Sequence, residues 1–338
     1  MSADAAPVVS QHRAVVAVAA EPIAAERRPV QGPIAVLPES SPAFERAIRD
    51  GGGEAAGLSP STRAIVWLSS TGSKDLAEVL EANPQVGWVQ LPWAGVDAFA
   101  DVLSRFAGAS TPLWTSAKGA YAQPVAEHAL TLALALLRVI PTRVRATRWS
   151  VVPEGTSLYG LDVLIIGAGG IAIELTRLLA PFSVRVTVLR RSPDAFPGAE
   201  RTLTSDRLLE ALPTADVVFV AAAMTPGSSK LIGAAELATM KDSAILVNIA
   251  RGGLVDTDAL TSALAAGAIA GAGIDVTDPE PLPAGHPLWN EPRAIITPHS
   301  ADTPQMTAPL LAERVRLNVE AFMGHGRFVG VVDPEAGY

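Results

Sequence analysis

Short apolar runs and amphipathic segments alternate along the second half of the chain. Residues 161–166, LDVLII, form a β-branched run with one charge, which is typical of a parallel strand buried on both faces. The run stops at Gly167, and apolar residues then recur with helical spacing from Ile171 to Leu179. The same alternation predicts strands at 184–189, 216–222, 244–249, 270–275 and 294–297, and helices near 205–211, 234–240 and 256–265. Such a series predicts a doubly wound domain around a parallel sheet.

The first half of the chain shows a second α/β series. Its pattern predicts strands at 34–37, 64–68 and 87–91, and helices at 42–49 and 75–81. Residues 306–323 have a helical pattern but lie far from this series along the chain. Because two-domain chains of this kind often return a final helix to the first domain, we expect the first domain to be discontinuous.

The glycine turn after residue 166 is a candidate ligand site. Gly167 and Gly169 fill the first two positions of the pattern G-x-G-x-x-G, and Ala172 stands at the third, which the G/A form accepts. At a helix N-terminus, such a turn offers unpaired backbone N–H groups to an anion such as pyrophosphate. The alternative is an ordinary strand-to-helix turn, but the flanking strands favour dinucleotide binding.

Residues 124–140 predict a helix with proline in its first turn and apolar residues on nearly all sides. A helix of this kind is buried, either inside its own chain or against another subunit.

Composition narrows the class of protein. The 338 residues are 49% hydrophobic and 18% charged, which describes a compact globular protein with room for two domains. A formal net charge of −8 argues against nucleic acid or an anionic membrane as a partner. The chain has no cysteine, and its five histidines form no metal-ligand cluster in the sequence, so we expect neither disulfides nor a metal.

The N-terminal residues 1–31 are rich in alanine and proline and predict a loose extension or one added strand. Within them, residues 14–20, AVVAVAA, are at the short limit for a signal-peptide core. No stretch approaches the roughly 20 apolar residues of a membrane helix. We therefore expect a cytoplasmic protein.

Charged groups follow several predicted strands of the second half. Arg251, Asp275, Glu280 and His299 each come after a β-rich run, so a parallel sheet would deliver them to the edge that also carries the glycine turn. An arginine can clamp a carboxylate, and a histidine beside a carboxylate can act as a general acid or base. Each residue taken singly has an ordinary reading, such as a surface salt bridge for Arg251 or a solvated loop for Glu280. Their conjunction favours a site.

The chain resembles the D-isomer-specific 2-hydroxyacid dehydrogenases. The matching segments run through most of the chain in the family's order: LPWAGVDAF at 91–99, VAEHAL at 125–130, GAGGIA at 167–172, LVNIARGGLVD at 246–256, GIDVTDPEPLP at 273–283, HPLW at 286–289 and TPHSA at 297–301. The resemblance implies a Rossmann coenzyme domain, 124–299, inserted into a discontinuous flavodoxin-like substrate domain, 32–123 and 300–333. It also implies a homodimer.

The resemblance assigns roles to individual residues. It implies that Arg251 binds the carboxylate of a small 2-oxo or 2-hydroxy acid, that His299 is the acid/base, and that Glu280 pairs with His299. Backbone N–H groups of Trp93, Ala94 and Gly95 would also bind the substrate carboxylate. The cofactor would contact the glycine turn through Gly167, Gly169, Gly170 and Ile171, and would also contact Ala250 and, at its nicotinamide end, Asp275. Tyr121 and the bulky Trp93 would give the substrate pocket an unusual shape.

The residues after strand 184–189 depart from the family's commonest pattern. Most relatives that use NAD carry an acidic residue there, whereas this chain has Arg190, Arg191 and Ser192. Arginines attract the 2′-phosphate of NADP, so we predict NADP(H) as the cofactor, with NAD(H) as the alternative.

Three functions stay open at this level. The first is reduction of a 2-oxo acid or oxidation of the D-2-hydroxy acid. The second is oxidation of an inorganic acid such as phosphite; formate is disfavoured because formate-oxidising relatives carry glutamine at the position of Glu280. The third is a regulatory protein that uses the fold as a nucleotide sensor.

Overall fold

In the computed structural model, residues 12, 20–69, 72–108 and 112–334 are described. The strands are β1 Glu21–Pro22, β2 Ile34–Leu37, β3 Ala64–Trp67, β4 Trp88–Gln90, β5 Leu113–Thr115, β6 Asp162–Ile166, β7 Arg185–Arg190, β8 Arg201–Thr204, β9 Val217–Val220, β10 Ile245–Asn248, β11 Gly271–Ile274, β12 Ala294–Ile296 and β13 Arg327–Phe328. The helices are α1 Pro42–Asp50, α2 Ser73–Ala82, α3 Ala100–Arg105, α4 Ala122–Leu137, α5 Ile140–Arg145, α6 Gly170–Leu179, α7 Leu208–Ala211, α8 Ala234–Thr239, α9 Thr257–Ala266 and α10 Pro304–Glu320.

The chain divides into two compact units. The discontinuous unit comprises Met1–Ala122 and Thr303–Tyr338, and the continuous unit comprises Gln123–Asp302. None of the helices in the described ranges has the length and apolarity that a bilayer crossing requires.

The continuous unit is built on a seven-stranded parallel sheet in the order β12-β11-β10-β9-β6-β7-β8. Counted from β6, this is the doubly wound order 3-2-1-4-5-6 with a seventh strand added at one edge. Both faces of β6 are covered, because Leu164 and Ile166 belong to one apolar cluster and Val163 and Ile165 to another. The prediction of a two-sided buried strand and of a doubly wound fold is confirmed.

The ends of the central strands are in register across this sheet. Successive pairs join Leu189, Ile166, Val220, Asn248, Ile274 and Ile296 into one row. The loops that leave the strands at this row therefore begin at the same edge.

The discontinuous unit contains a four-stranded parallel sheet in the order β2-β3-β4-β5. A single parallel bridge between Ile34 and Ala55 stands on the free side of β2. With that bridge counted as a vestigial second strand, the order becomes the flavodoxin-like 2-1-3-4-5. The strands of this sheet are short, and the position of the second strand is occupied by the single bridging residue Ala55.

Helix α10 comes from the C-terminal part of the chain and packs against α1 in this unit. Its buried Asn318 donates to Gln90 Oε1 at 2.8 Å and accepts from the Val329 amide at 2.8 Å. These buried polar contacts fix α10 against the sheet and against the chain that follows it.

At the N-terminus, the described part of the predicted extension includes an added strand, because β1 pairs antiparallel with β13. Residues 1–11 and 13–19, including nearly all of the segment AVVAVAA, lie outside the described residues.

Several element boundaries differ from the sequence prediction. The helix predicted at 124–140 spans Ala122–Leu137, and the chain turns at Val139, whose φ of +55° is left-handed, before α5 begins. The helix predicted near 205–211 is a 3₁₀ turn followed by the four-residue α7. The pattern missed β5, β8, α3 and α5.

Candidate active site

The edge of the continuous sheet carries most of the residues that the sequence singled out. The first residues after the strand-end row are Gly167, Arg190, Ala221, Ile249, Asp275 and Thr297. The loops that begin there also hold Arg251, Glu280 and His299. The structure therefore assembles the predicted groups of this unit along one edge.

The glycine turn is shaped by two different requirements. Gly167 has φ +113°, and a Cβ there would overlap the backbone carbonyl of Ala221. Gly169 has φ −84°, caps the ten-residue helix α6, is exposed, and would have nothing within 4 Å of a Cβ. The side chain of Ala172 is fully buried, as the third position of the pattern requires.

This turn fits the pyrophosphate of a dinucleotide. The space above Gly169 is open, and the first-turn N–H groups of Gly170 and Ile171 stand at the positive end of the helix dipole. Ile171 is half-buried and Gly169 is exposed, so the backbone and not a side chain forms the floor of the cradle.

At the end of β7, the acidic residue Asp194 lies next to Arg190 and Ser192, two of the predicted phosphate-binding residues. Arg190 is half-buried, and its Nη1 lies 3.4 Å from the Asp194 carbonyl. The Ser192 hydroxyl makes a short hydrogen bond to the Asp194 carboxylate. Arg191 is exposed. The Ser192 proton is therefore given to a carboxylate that sequence reasoning missed, and the contact of Ser192 with the cofactor stays a prediction.

Arg251 follows β10 through a loop that is fixed by its neighbours. Asn248 Nδ2 donates to the Arg251 carbonyl at 3.0 Å, and Asn248 Oδ1 accepts from the Ala250 amide at 3.2 Å. Next to it, Gly252 lies so close to the Thr277 backbone that a Cβ would overlap it. Arg251 itself is half-buried, and one Nη1 contact goes to the Ala250 carbonyl at 2.8 Å. The guanidinium is thus held on a rigid loop.

His299 and Glu280 form the predicted pair. His299 Nδ1 lies 2.6 Å from Glu280 Oε1, and the two side chains are 51% and 43% exposed. His299 has φ +50°, a left-handed conformation that non-glycine residues seldom adopt. The ring is therefore oriented by a carboxylate at Nδ1 and has its other nitrogen available for a proton transfer.

Asp275 is the hub of the loop that carries His299. Its side chain is 1% exposed. Oδ1 accepts from the Thr297 hydroxyl at 2.6 Å and from the Ser300 amide at 2.9 Å, and Oδ2 accepts from the Ala301 amide at 3.1 Å. The contact to nicotinamide stays a prediction, and the structure adds a second task for this carboxylate, which is to organise residues 297–301.

Two groups near this loop were missed by sequence reasoning. His128, on α4, places Nε2 3.0 Å from Thr297 Oγ1 and 3.6 Å from Asp275 Oδ1. Asp302 follows the loop, and its burial raises the pKa of the carboxyl above the ordinary value, while the nearby charge of His299 acts in the opposite direction. The sequence pattern of α4 gave no signal for the role of His128, because its hydrogen bond depends on a loop that is distant along the chain.

The predicted substrate loop lies in the discontinuous unit. Trp93 is half-buried, Ala94 exposed and Gly95 half-buried. The Trp93 ring meets the Tyr121 ring edge-on at 6.1 Å between centroids, and the Tyr121 hydroxyl donates to the Pro92 carbonyl at 2.6 Å. The two aromatic side chains therefore stiffen the loop.

The buried Arg314 holds the neighbouring turn at residues 116–118, which contacts this loop. Arg314 is 1% exposed and donates to the carbonyls of Ser116 and Lys118, each at 2.9 Å. Burial lowers the pKa of Arg314 to about 10. The turn that it holds includes Ala117, whose amide donates to the Trp93 carbonyl at 2.9 Å. Sequence reasoning gave no signal for Arg314, because a charged residue in a helix is normally solvated.

Comparisons with known proteins agree with this geometry. Residues 130–301 match the family described as D-isomer specific 2-hydroxyacid dehydrogenase, NAD binding domain. The chain is 37% identical over 258 residues to an uncharacterized protein in the proB 3′ region of Corynebacterium melassecola, which covers 75% of this chain and 84% of that protein. It is 31% identical over 258 residues to a glyoxylate reductase of Korarchaeum cryptofilum (strain OPF8), which covers 73% of this chain and 76% of that protein.

Among solved structures, the chain resembles a D-isomer specific 2-hydroxyacid dehydrogenase from Xanthobacter autotrophicus Py2, crystallised in complex with NADPH and MES. The TM-score is 0.76 and the sequence identity 26%, and the match covers 91% of this chain and all of that chain.

Proposed function

The chain belongs to the D-isomer-specific 2-hydroxyacid dehydrogenase family of NAD(P)-dependent oxidoreductases, and on that premise we propose that it reduces a small 2-oxo acid to the D-2-hydroxy acid and catalyses the reverse reaction. The observation that carries the proposal is the 2.6 Å contact between His299 and Glu280 at the edge of the dinucleotide-binding sheet. A histidine held in this way is suited to exchange one proton with a substrate oxygen.

In this mechanism Arg251 binds the substrate carboxylate and lies beside the 2-oxo oxygen. A nicotinamide cofactor, which the glycine turn and Asp275 would hold, would supply the hydride for C2 of the substrate. Negative charge then develops on the oxygen, where the Arg251 guanidinium stabilises it and His299 delivers a proton. Backbone N–H groups of the loop Trp93, Ala94 and Gly95 stay the further donors that the sequence predicts for a substrate carboxylate.

Glu280 sets which nitrogen of His299 reacts. A carboxylate can only accept, so the short contact requires a proton on Nδ1. The proton that moves is therefore the one on Nε2, and the Nδ1–H bond to Glu280 is kept in both states of the ring. This arrangement fixes the orientation of the imidazole throughout the reaction.

We further propose that NADP(H) is the preferred cofactor. Gly167, Gly169, Gly170 and Ile171 would hold the pyrophosphate, while Ala250 would line the cofactor site and Asp275 would contact its nicotinamide end. Arg190 and Arg191 at the end of β7 would pair with the 2′-phosphate.

Asp194 works against this preference. Its carboxylate lies against Ser192 and would repel a phosphate bound beside that hydroxyl. Ser192 can contribute a donor only by turning from Asp194 to the phosphate. The expected preference for NADPH is therefore carried by the two arginines.

We also propose that the protein is a homodimer. The segment after α4 exposes several large apolar side chains, namely Ile140, Val144, Trp149, Val151, Val152 and Tyr159. Trp149 is 91% exposed and Val151 is 86% exposed. Monomeric proteins seldom leave so many large apolar side chains exposed within one segment, and a two-fold contact between copies would cover them. The apolar surface lies mainly beyond the helix, whereas the sequence pattern had placed it on residues 124–140.

The test of function is a spectrophotometric screen of small 2-oxo acids, beginning with glyoxylate, with NADH and NADPH. H299A should lower kcat by about two to four orders of magnitude, the usual scale for a lost general acid. R251A should raise KM and lower kcat, since Arg251 both binds the substrate and stabilises charge. The matched control is H325A, which removes an exposed histidine from the discontinuous unit and should retain wild-type activity.

Near-normal activity of H299A would contradict the proposed roles. Tight nucleotide binding without turnover of any acid would favour the nucleotide-sensing alternative, and turnover confined to phosphite would favour the inorganic-acid alternative.

A further inference from the structure

The loop that carries His299 adopts a conformation that needs external support. The left-handed φ of His299, +50°, is disfavoured for a residue with a Cβ atom. The side chain is half-exposed, so apolar packing does little to hold it. Besides the Glu280 contact at Nδ1, the conformation of this loop must therefore be held by polar contacts of residues 297–301.

Most of those contacts converge on Asp275. The Asp275 carbonyl accepts from the His299 amide at 2.7 Å, and its carboxylate accepts from Thr297, Ser300 and Ala301. The four donors are His299 itself, Thr297 before it, and Ser300 and Ala301 after it. The loop is thus fastened to the end of β11.

The direction of the Thr297 hydrogen bonds identifies one more residue that helps to hold the His299 loop. A hydroxyl carries a single proton, and at 2.6 Å from Asp275 Oδ1 that proton belongs to the contact with the carboxylate. Thr297 Oγ1 must then accept at its other contact, which is His128 Nε2 at 3.0 Å. The bonds therefore run from His128 Nε2–H to Thr297 and from Thr297 to Asp275.

We propose that His128 is a positioning residue for His299 and acts through Thr297 and Asp275. His128 stands on α4, so its bond connects this helix to a loop that is otherwise held by Asp275, after β11, and by the contact of His299 with Glu280. Its removal would take away the donor that fixes Thr297 Oγ1 from the side of α4 and would leave Thr297 held only through Asp275, which would loosen the loop. This inference rests on the proposed function insofar as His299 is the proton donor.

The hydrogen-bond chain can be tested without substrate by NMR of ¹⁵N-labelled histidine in the full-length protein. His128 should carry its proton on Nε2, and T297V, which preserves the side-chain shape, should perturb that signal. H128L should shift or broaden the ring signals of His299, and H128Q should restore them because an amide N–H can replace Nε2–H. H325A is the control and should leave them unchanged. A neutral His128 protonated on Nδ1 alone, or His299 signals unmoved in H128L, would overturn the proposal.

Kinetics provides a second readout. H128L should lower kcat by about tenfold, the loss expected for about 1.4 kcal/mol, while KM changes much less, because the substrate-binding Arg251 is untouched. H128Q should recover most of the rate. An equal loss in H128L and H128Q would show that His128 acts by shape alone and would refute the proposal.

The two measurements separate the possible failures. If the unmodified protein reduces no 2-oxo acid, the proposed function fails, while the NMR experiment still decides whether His128 orients His299.

Discussion

Replacing two glycines of the same turn by alanine should separate folding from nucleotide binding. Gly167 and Gly169 are two residues apart, and both belong to the candidate pyrophosphate cradle. The added methyl group is the same in G167A and G169A. Its surroundings differ, so the two variants should fail in different assays.

For G167A, the cost arises in the folded protein. The φ of +113° is strained for alanine, which costs about 1–3 kcal/mol. The methyl group would also overlap the backbone of Ala221, and relieving such an overlap costs about 1–3 kcal/mol more. The sum, about 2–6 kcal/mol, corresponds to a fall in Tm of about 4–24 °C for a domain of this size.

For G169A, the cost should arise only on binding. Its φ of −84° suits alanine, and nothing lies within 4 Å of the new methyl group. The free energy of unfolding should therefore change by less than about 1 kcal/mol. The methyl group would stand between the helix N-terminus and the pyrophosphate. Loss of a charge-assisted hydrogen bond there, about 1.5–3 kcal/mol, would weaken nucleotide binding by at least tenfold.

Thermal unfolding without nucleotide and calorimetric titration with NADPH and NADH measure the two costs. Wild-type Tm for G167A would show that the Ala221 backbone can yield, against the packing argument. Wild-type nucleotide affinity for G169A, once its Tm is shown to be unchanged, would show that the pyrophosphate does not lie over this turn.

Three further properties can be tested, namely the cofactor preference, the dimer and the pH dependence of stability. R190D should erase or reverse the preference for NADPH, while kcat at saturating cofactor stays nearly constant. D194N should strengthen that preference. Equal kcat/KM for NADH and NADPH in the unmodified protein would refute the predicted preference and with it both expected effects. W149S should shift sedimentation toward the monomer at micromolar concentration, whereas a monomeric wild-type protein would refute the proposed interface. Because the pKa of Asp302 is raised in the folded protein, its charged form opposes folding, and stability falls as pH rises from about 3.8 through the raised pKa. D302N should therefore raise Tm at pH 7, with a smaller gain near pH 4; an equal gain at both pH values would show that the charge is not the cause.

The fold was predictable where a strand is buried on both faces of the sheet and is therefore apolar along its whole length. The run from Val163 to Ile166 is apolar on both sides because helices cover both faces of the sheet, and its pattern identified it directly. Strand β8 was missed because three of its four residues are polar, and β5 was missed because its two apolar residues stand between Pro112 and polar residues. The end of α4 was also misplaced, since the left-handed residue is Val139, a β-branched residue that seldom adopts this conformation.

The site was predictable to the extent that topology alone decides it. A parallel sheet delivers the residues after its strands to one edge, so Arg251, Glu280 and His299 could be grouped before any distance was known. Asp194 and His128 could not be found this way. Their importance depends on where a side chain points and on which proton a hydroxyl gives away, and neither is encoded in periodicity.

The aligned strand ends also constrain how this chain can change in length. Ile166, Val220, Asn248, Ile274 and Ile296 stand in one row, and each added residue advances a strand by about 3.3 Å and reverses the face of every side chain beyond it. A one-residue deletion inside β11 would therefore displace Asp275 from the loop it fastens, although Asp275 itself were retained. Loops at the opposite edge of the sheet can grow or shrink without moving this row. Natural insertions and deletions should accordingly collect at that opposite edge, and the strands themselves should keep their lengths.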